Sequence, residues 1–422
     1  MPDESSGTPT VPPVAPVPAS GTVHWIGTGL STGAAGLGLL CDRAERVLVW
    51  GRTTERAAAL LARLELTGRA GVRALEGGAL AAEMRTGDVV VSMLPATEHA
   101  GLLRLCTERG AHFACSSYVS EPVAELSADA ARTGVVVLTE AGLDPGIDHL
   151  LAHVLIERAR DAVGDRADSV RFTSFCGGLP AEPNDFRYRF SWAPYGVLAA
   201  LNSPSRYIDE DKEHSSAHPW EATRPHHLGG EDFEVYPNRD SLPFIAQYGV
   251  PDGWHLTSFV RGTLRNAGWL AAWEPVFATV RTGDEARIRA LATELAERYP
   301  TTDADRDRVV LSVALDVRRT GGADGAVGAD GADGSGASGG ADWQGSYVLD
   351  LTGDGTHSAM ARCVSLPLAF GVTRILDGAL PAGLNRAAED PGEAGRWLRF
   401  LDDNGVRSTF QETTGTGRGA PA

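Results

Sequence analysis

Lysine is nearly absent from this chain. Lys212, in the polar stretch DEDKEHSS, is the single one, and arginine carries the remaining fixed positive charge. A Schiff-base lysine or a P-loop lysine would have to be that residue, and its surroundings suit neither. Cysteine is sparse as well: Cys41, Cys106, Cys115, Cys176 and Cys363 are odd in number and form no CxxC pair. That argues against a disulfide framework or a zinc ribbon and predicts a reducing, cytoplasmic setting. Positive charge is in deficit, with a formal net charge of −17 and a pI near 5.1. No basic stripe is visible, so neither nucleic acid nor an anionic membrane surface is an expected partner. No apolar run approaches the roughly 18–20 residues of a membrane span. The opening MPDESSGTPTVPPVAPVPAS has no basic region followed by an apolar one, so no secretory signal is expected.

What is present is 422 residues with 43% hydrophobic content, enough for two domains with their own cores. Residues 1–20, rich in Pro, Ser and Thr, read as a disordered tail. A second low-complexity stretch, 321–342, separates two strand-like runs, RVVLSVALDVRR and WQGSYVLDLTGDG, and reads as the flexible loop of a hairpin. From 21 to 140, buried apolar runs (TVHWIG, VLVWG, DVVVSML, HFACSS, VVVLTE) alternate with amphipathic helical stretches. The pattern predicts an α/β fold with a doubly wound parallel sheet. From about 170 to 350, aromatics, proline and polar loops dominate, and a second α/β domain with a mixed sheet is expected. Residues 356–404 return to helix-forming sequence.

The first turn of the parallel sheet is GTGLST, spanning Gly27, Thr28, Gly29, Leu30, Ser31 and Thr32. Gly27 and Gly29 fit the first two positions of a dinucleotide fingerprint, and Thr32 takes the third, with Gly33 one residue late. The turn follows a strand and opens a helix, as a pyrophosphate site requires; a tight turn without a ligand is the alternative. The next strand, VLVWG, ends in Gly51 and Arg52, where an NAD site commonly has Asp or Glu. A guanidinium there suits a phosphate on the adenosine ribose, so NADP is the expected cofactor. Thr53 and Thr54 add hydroxyls; otherwise Arg52 is a solvated residue and Thr54 a helix cap. In SMLPATEH, at the end of another apolar strand, Leu94 and Pro95 could wall a ring of the cofactor. His99 reads equally as a ligand or a helix-start residue. His149 and His153 stand four apart on an expected helix, but no third ligand has usable spacing, and no metal is expected.

Several polar stretches fall in one order along the chain: CSSYVS, EAGLDPGIDHL, FCGGLP, FSWAPYG, YPNRDS, RGTLR and HSAMARCVSLP. Over about residues 21–405 the chain resembles the glutamate-forming saccharopine dehydrogenases (saccharopine reductases). The resemblance implies a Rossmann-type NADP-binding domain built from both ends of the chain, 21–145 and 355–422. It also implies a central substrate and dimerisation domain, 146–354, and a homodimer. The implied reaction is NADP-linked oxidation of saccharopine to glutamate and 2-aminoadipate 6-semialdehyde, or the reverse, with a small amino-acid substrate as partner.

By the same resemblance, Ser116 and Ser117 flank the nicotinamide, and Ser117 and Tyr118 form the Ser-Tyr pair beside cofactor and substrate. Asp144 matches the Asp of L-D-P-G, and Cys176 the Cys before Gly-Gly-Leu-Pro. Arg239 matches the carboxylate clamp of N-R-D. Gly262, Thr263, Leu264 and Arg265 match the substrate-lining GTLR. Asp144, Cys176 and Tyr118 are the candidates for chemistry. Arg239 and Arg265 are sensible carboxylate anchors on physical grounds, since arginine binds carboxylate through two parallel hydrogen bonds. Each could instead sit in a structural ion pair, Arg239 with Asp240 or Asp232. Asp144 could cap a helix, and Cys176 could be a small buried apolar residue. Two positions depart from the pattern: Tyr195 stands where the family has Arg in S-W-x-x-R-G, and Asn266 where it has Tyr after GTLR. Both are expected near the substrate, which leaves a related imine reductase joining a different aldehyde and amine as a rival. A non-catalytic NADP(H) sensor is a rival of another class.

Overall fold

The computed structural model describes residues 14–302, 305–319, 341–354 and 357–416. The chain runs β1 (Thr22–Ile26), α1 (Ala34–Arg43), β2 (Arg46–Gly51), α2 (Thr54–Arg63), β3 (Gly71–Ala74), α3 (Ala79–Glu83), β4 (Val89–Ser92), α4 (His99–Arg109), β5 (His112–Cys115), α5 (Glu121–Arg132) and β6 (Val136–Leu138). Then come α6 (Ile147–Val163), β7 (Arg166–Pro180), α7 (Pro194–Ala200), β8 (Ser205–Asp209), β9 (Lys212–Ser216), β10 (Arg224–Leu228), β11 (Glu231–Pro237), α8 (Pro243–Gln247) and β12 (Gly253–Asn266). There follow α9 (Trp269–Ala272), α10 (Glu274–Val280), α11 (Glu285–Arg298), β13 (Asp307–Arg319), β14 (Ala341–Thr352), α12 (Ala359–Leu376), β15 (Gly383–Asn385), α13 (Pro391–Asp403) and β16 (Ser408–Thr416).

The chain divides into two compact units. The first comprises 1–28, 36–141 and 368–386; the second comprises 29–35, 142–367 and 387–422. The first unit holds a seven-stranded sheet in the order β15-β6-β5-β4-β1-β2-β3, and its neighbours pair in parallel. This is the doubly wound order, with its reversal between β1 and β4, and ligands bind beyond the carboxyl ends of strands at such a reversal. Val23, Trp25, Val49, Val89, Val91 and Phe113 are fully buried, as strands covered on both faces must be.

Residues 17–20 are fastened rather than loose. The Val17 N–H donates to Gly134 O at 2.8 Å, His112 Nε2 lies 3.0 Å from Val17 O, and the Ser20 hydroxyl donates to Asp88 at 2.5 Å. The expected disorder of 1–20 therefore fails there; residues 1–13 lie outside the described residues. Backbone amides, which composition does not encode, supply this docking.

The second unit is built on a nine-stranded mixed sheet, ordered β10-β11-β12-β7-β13-β14-β16 with β8 and β9 beside β12. Within it β12 pairs with β7 in parallel, and the other pairings are antiparallel. β13 and β14 form the expected hairpin; the low-complexity loop between them, through residue 340, lies outside the described residues. The C-terminal division differs from the expectation for 355–422. Only 368–386 group with the parallel sheet, while β16 adds to the mixed sheet by pairing with β14. A second core gathers Phe186, Tyr188, Phe190, Trp220, Trp269, Trp273 and Phe277, an aromatic cluster beneath α10 and α11. One described helix, α12, is long and apolar enough to cross a membrane, contrary to the reading of the sequence; 67% of it lies buried, as in a core helix.

Candidate functional site

In the first unit the expected cofactor residues gather at the carboxyl ends of β1, β2, β4 and β5. Gly27 adopts φ +118°, and a Cβ there would approach Met93 to 3.0 Å, so only glycine suits the turn. Its N–H donates to Trp50 O at 2.9 Å, which ties the ends of β1 and β2 together. Thr28 is half-buried at the start of the turn. Arg52 is exposed at the tip of β2, and among the described residues no carboxylate pairs with it. The cap of α2 is Thr53, whose hydroxyl accepts from the Arg56 N–H at 3.4 Å; Thr54, the expected cap, donates instead to Glu55.

Leu94 is half-buried and Pro95 exposed beyond β4. His99 proves structural. It is buried, its Nε2 bonds Leu94 O at 3.1 Å, and its ring meets the edge of Phe113. Burial lowers its pKa, so it stays neutral and pins the 94–99 loop rather than binding a phosphate.

Ser116, Ser117 and Tyr118 are half-buried in the turn after β5. Glu140, which the sequence did not single out, braces that turn. Its N–H donates to Ser117 O at 3.0 Å, and its carboxylate accepts from the Val119 N–H at 3.2 Å. It also pairs with Arg386 at 3.3 Å. Glu140 holds φ +52°, a conformation unusual for a non-glycine residue and found where surroundings over-determine the backbone.

The rest of GTGLST groups with the second unit. Leu30 is exposed, Ser31 half-buried and Thr32 buried. A Cβ at Gly29 would meet nothing within 4 Å, so no protein neighbour there demands glycine and the space is open to a ligand. The close-packing role expected of Thr32 falls to Gly33, where a Cβ would come within 2.7 Å of Ala361 O and Ser365 Oγ in α12. The helix starts later than expected, at Ala34.

The substrate candidates meet on one face of the mixed sheet. Thr263 of β12 lies opposite Cys176 of β7 and Tyr236 of β11, so by strand alternation Arg261, Thr263 and Arg265 share the Cys176 face. Leu264 lies on the other face, fully buried against Phe175, Val260 and Val310, so its side chain packs the core instead of lining a substrate site. Gly262 is likewise a packing glycine, since a Cβ would strike Tyr236 O at 2.6 Å and the Phe175 ring at 2.8 Å.

Arg265 is 8% exposed. It donates to Tyr236 Oη at 3.2 Å and to its own neighbour's Leu264 O at 3.1 Å. Its guanidinium lies over Tyr188 at 5.0 Å, Tyr236 at 5.7 Å and Trp269 at 5.6 Å. Among the described residues it has no carboxylate partner, and its Nε makes no hydrogen bond. A buried guanidinium without an anion is costly, and cases like it are paired with a ligand or a counter-charge.

Arg239 is exposed in the Asn-Arg-Asp turn, with φ +58°. Of the acids near it in sequence, Asp240 pairs with Arg206 at 3.0 Å and Asp232 with His227 at 2.9 Å. The turn is fastened to β12 by two bonds to the Arg261 backbone: the Asn238 N–H donates to Arg261 O at 2.9 Å, and the Arg261 N–H to Ser241 Oγ at 3.0 Å.

Asp144 precedes α6 and is not its side-chain cap. Its carboxylate accepts from Arg261 Nη2 at 2.9 Å, and the same nitrogen reaches Asp148 at 2.5 Å. Asp148 accepts the Gly146 N–H at 2.7 Å. Burial pushes the Cys176 thiol well above its usual range, and the neighbouring Asp144 and Asp148 carboxylates push it further. Cys176 is thus held as the protonated thiol, unsuited to act as a thiolate.

His149 bonds Tyr248 at 2.7 Å and stacks on Phe244, while His153 meets the edge of Tyr248. Both serve packing. The two departures from the family pattern have partners of their own. The Tyr195 hydroxyl donates to Glu285 at 3.1 Å with Arg289 over its ring at 3.8 Å, a partner set on α11. Asn266 is buried, opposite Phe233 and on the Leu264 side of β12.

A parallel sheet with a glycine turn at its reversal defines a chain of the dinucleotide-binding class; its other unit is a mixed sheet that presents buried arginine and thiol. Residues 23–138 match the saccharopine dehydrogenase NADP binding domain, and 142–406 the saccharopine dehydrogenase C-terminal domain. The chain belongs to the saccharopine dehydrogenase family.

A Pyricularia oryzae protein named saccharopine dehydrogenase [NADP(+), L-glutamate-forming] is 36% identical over 257 residues, which is 60% of this chain and 56% of that protein. Its Schizosaccharomyces pombe namesake is 37% identical over 43% of this chain and 40% of that protein. The aligned stretches thus span about half the length of these relatives or less. The apo L-Glu-forming saccharopine dehydrogenase of Saccharomyces cerevisiae superposes with a TM-score of 0.73 at 25% identity, covering 93% of this chain and 99% of that one. A homospermidine synthase from Legionella pneumophila, solved with NAD, shares the fold at a TM-score of 0.59 and 10% identity, over 94% of this chain and 92% of that one.

Proposed function

We propose that the chain is an NADP(H)-dependent oxidoreductase of a secondary amine. It converts saccharopine, NADP+ and water to L-glutamate, 2-aminoadipate 6-semialdehyde and NADPH, or runs the reverse. One observation carries the reading: Arg265 is a buried guanidinium with no acidic partner among the described residues, on the sheet face that also bears Cys176. That is a site lacking a carboxylate, and saccharopine supplies several. The names of the relatives point to the same substrate.

The residues fit a dinucleotide phosphate. Gly27 and open-sided Gly29 admit a pyrophosphate, Arg52 and Thr53 suit a ribose phosphate, and Leu94 with Ser116 and Ser117 suits the rings. When bound, the nicotinamide supplies hydride transfer. Arg265 and Arg239 hold substrate carboxylates and fix the reacting carbon. The Asp144 carboxylate, the Cys176 thiol and the Tyr118 hydroxyl are the groups for the proton of the amine and of the water that opens the imine. Five free thiols support a reducing, cytoplasmic setting, and a homodimer follows the family resemblance.

The test is an NADPH-oxidation assay crossing glutamate and other amino acids with 2-aminoadipate 6-semialdehyde and other aldehydes, with NADH as control. Turnover with glutamate and the semialdehyde above all other pairs is expected. Preference for a different pair would move the substrate; no turnover with any pair would overturn the enzymatic reading.

A further inference from the structure

Arg261 meets more carboxylate than an anchor needs. One nitrogen, Nη2, serves Asp144 at 2.9 Å and Asp148 at 2.5 Å. The guanidinium lies 4.0 Å from the centre of the Phe244 ring, and its backbone is held by Ser241 and Asn238. It therefore has one place to be. Asp148 is fully buried and also accepts the Gly146 N–H, which makes it sufficient as the structural counter-ion. Asp144 is different: its side chain is 14% exposed, against 0% for Asp148. Asp144 is thus a second carboxylate on one buried guanidinium, and the less enclosed of the two. It also suits the ammonium or iminium nitrogen of a secondary-amine substrate.

We propose that Arg261 is a positioning residue that fixes the orientation of Asp144 for proton transfer, with Asp148 holding Arg261 in place. This rests on the reading of Asp144 given above. Arg261 touches no reacting atom in this scheme; it acts through Asp144. A lysine cannot replace it, because a single ammonium lacks the planar geometry that lets a guanidinium hold its place between two carboxylates and a ring.

The experiment is a double-mutant cycle on the full-length protein, read as kcat and as KM for NADPH with glutamate and 2-aminoadipate 6-semialdehyde. Arg261→Lys should lower kcat about 10- to 100-fold, the scale of a misplaced catalytic group, with KM for NADPH unchanged. In the Asp144→Asn background the same substitution should change kcat less than about twofold, because the group it acts through is gone. Equal losses in both backgrounds, or no loss in either, would overturn the proposal. Parent-like kcat in Asp144→Asn alone would instead refute the role of Asp144, and the proposal would fall with it. Should Arg261→Lys not fold, the pair Arg261→Gln with Asp148→Asn removes one charge of each sign and carries the same cycle with the same outcomes.

Discussion

Replacing Arg265 by methionine should separate function from stability. The guanidinium is 8% exposed, faces three aromatic rings, and has no acid beside it among the described residues. If it binds a substrate carboxylate, truncation leaves that carboxylate desolvated and unpaired. Losses for one partner of a buried charged pair run about 2–5 kcal/mol, or roughly 30- to 4,000-fold in kcat/KM at about 1.4 kcal/mol per decade. Stability should move little, or upward. Methionine fills the volume, keeps contact with Tyr188 and Trp269, and removes an unpaired buried charge. It forfeits a cation–π contribution of about 0.5–2 kcal/mol. With these terms opposed, the melting temperature should stay within about 4 °C of the parent, the shift expected for roughly 1 kcal/mol in a unit of this size. Steady-state kinetics in glutamate, NADPH affinity by fluorescence and calorimetry measure all three quantities. A drop of many degrees, with kcat/KM within twofold of the parent in the folded fraction, would mean that Arg265 serves the aromatic core and binds no substrate.

Four further outcomes follow from the same geometry. Arg52→Ala should weaken NADPH while sparing NADH, and equal affinities for the two in the parent would refute the phosphate reading. Arg239→Ala should weaken glutamate by about 1.5–3 kcal/mol and leave NADPH binding intact, with Arg239→Lys recovering part of the loss; unchanged glutamate kinetics would remove Arg239 from the site. Cys176 should resist iodoacetamide at pH 8 in the folded protein, since burial and two carboxylates hold its thiol protonated, and rapid labelling would contradict that. His153 is lowered to about 4, first by burial and then by His149. The unfolded state, with a His pKa near 6.5, therefore binds the extra proton between pH 6.5 and 4. Stability contributed by this residue is whole above pH 6.5 and lost as pH falls toward 4, by up to about 3 kcal/mol. His153→Phe should flatten the decline in melting temperature over that window, and identical slopes in parent and variant would show that His153 does not drive it.

The parallel sheet was legible because its strands are covered on both faces and read as continuous apolar runs between helical periods: VLVWG became β2 and DVVVSML contained β4. Docked segments were not. Residues 17–20 bind through backbone groups whose partners lie far along the chain, and STFQETTGT joins the sheet by pairing with β14 rather than by its own apolar pattern. Arg265 and Asp144 could be singled out in the sequence, but their neighbours could not. Arg261 sits two residues before Thr263, and alternation along VRGTLR is the signal that puts it on the same face. Glu140 lay within the quoted EAGLDPG, but nothing in the sequence marks its left-handed backbone or its bond to the Val119 N–H.

The same alternation bears on the substrate. Tyr195 and Asn266, the two departures from the family pattern, had weighed against a saccharopine-type pocket because both were expected beside it. Tyr195 spends its hydroxyl on Glu285 and its ring on Arg289. An arginine there would meet both the Glu285 carboxylate and the Arg289 guanidinium on α11. Asn266 follows Arg265 by one residue and so turns to the Leu264 face, opposite Phe233. Tyr195 packs against the aromatic cluster that holds Tyr188, Tyr236 and Trp269, the three rings under Arg265, so it remains close to that cation. The proposal of a substrate with several carboxylates therefore rests on Arg265 and Arg239, and the assay that crosses amino acids with aldehydes decides between it and a different amine.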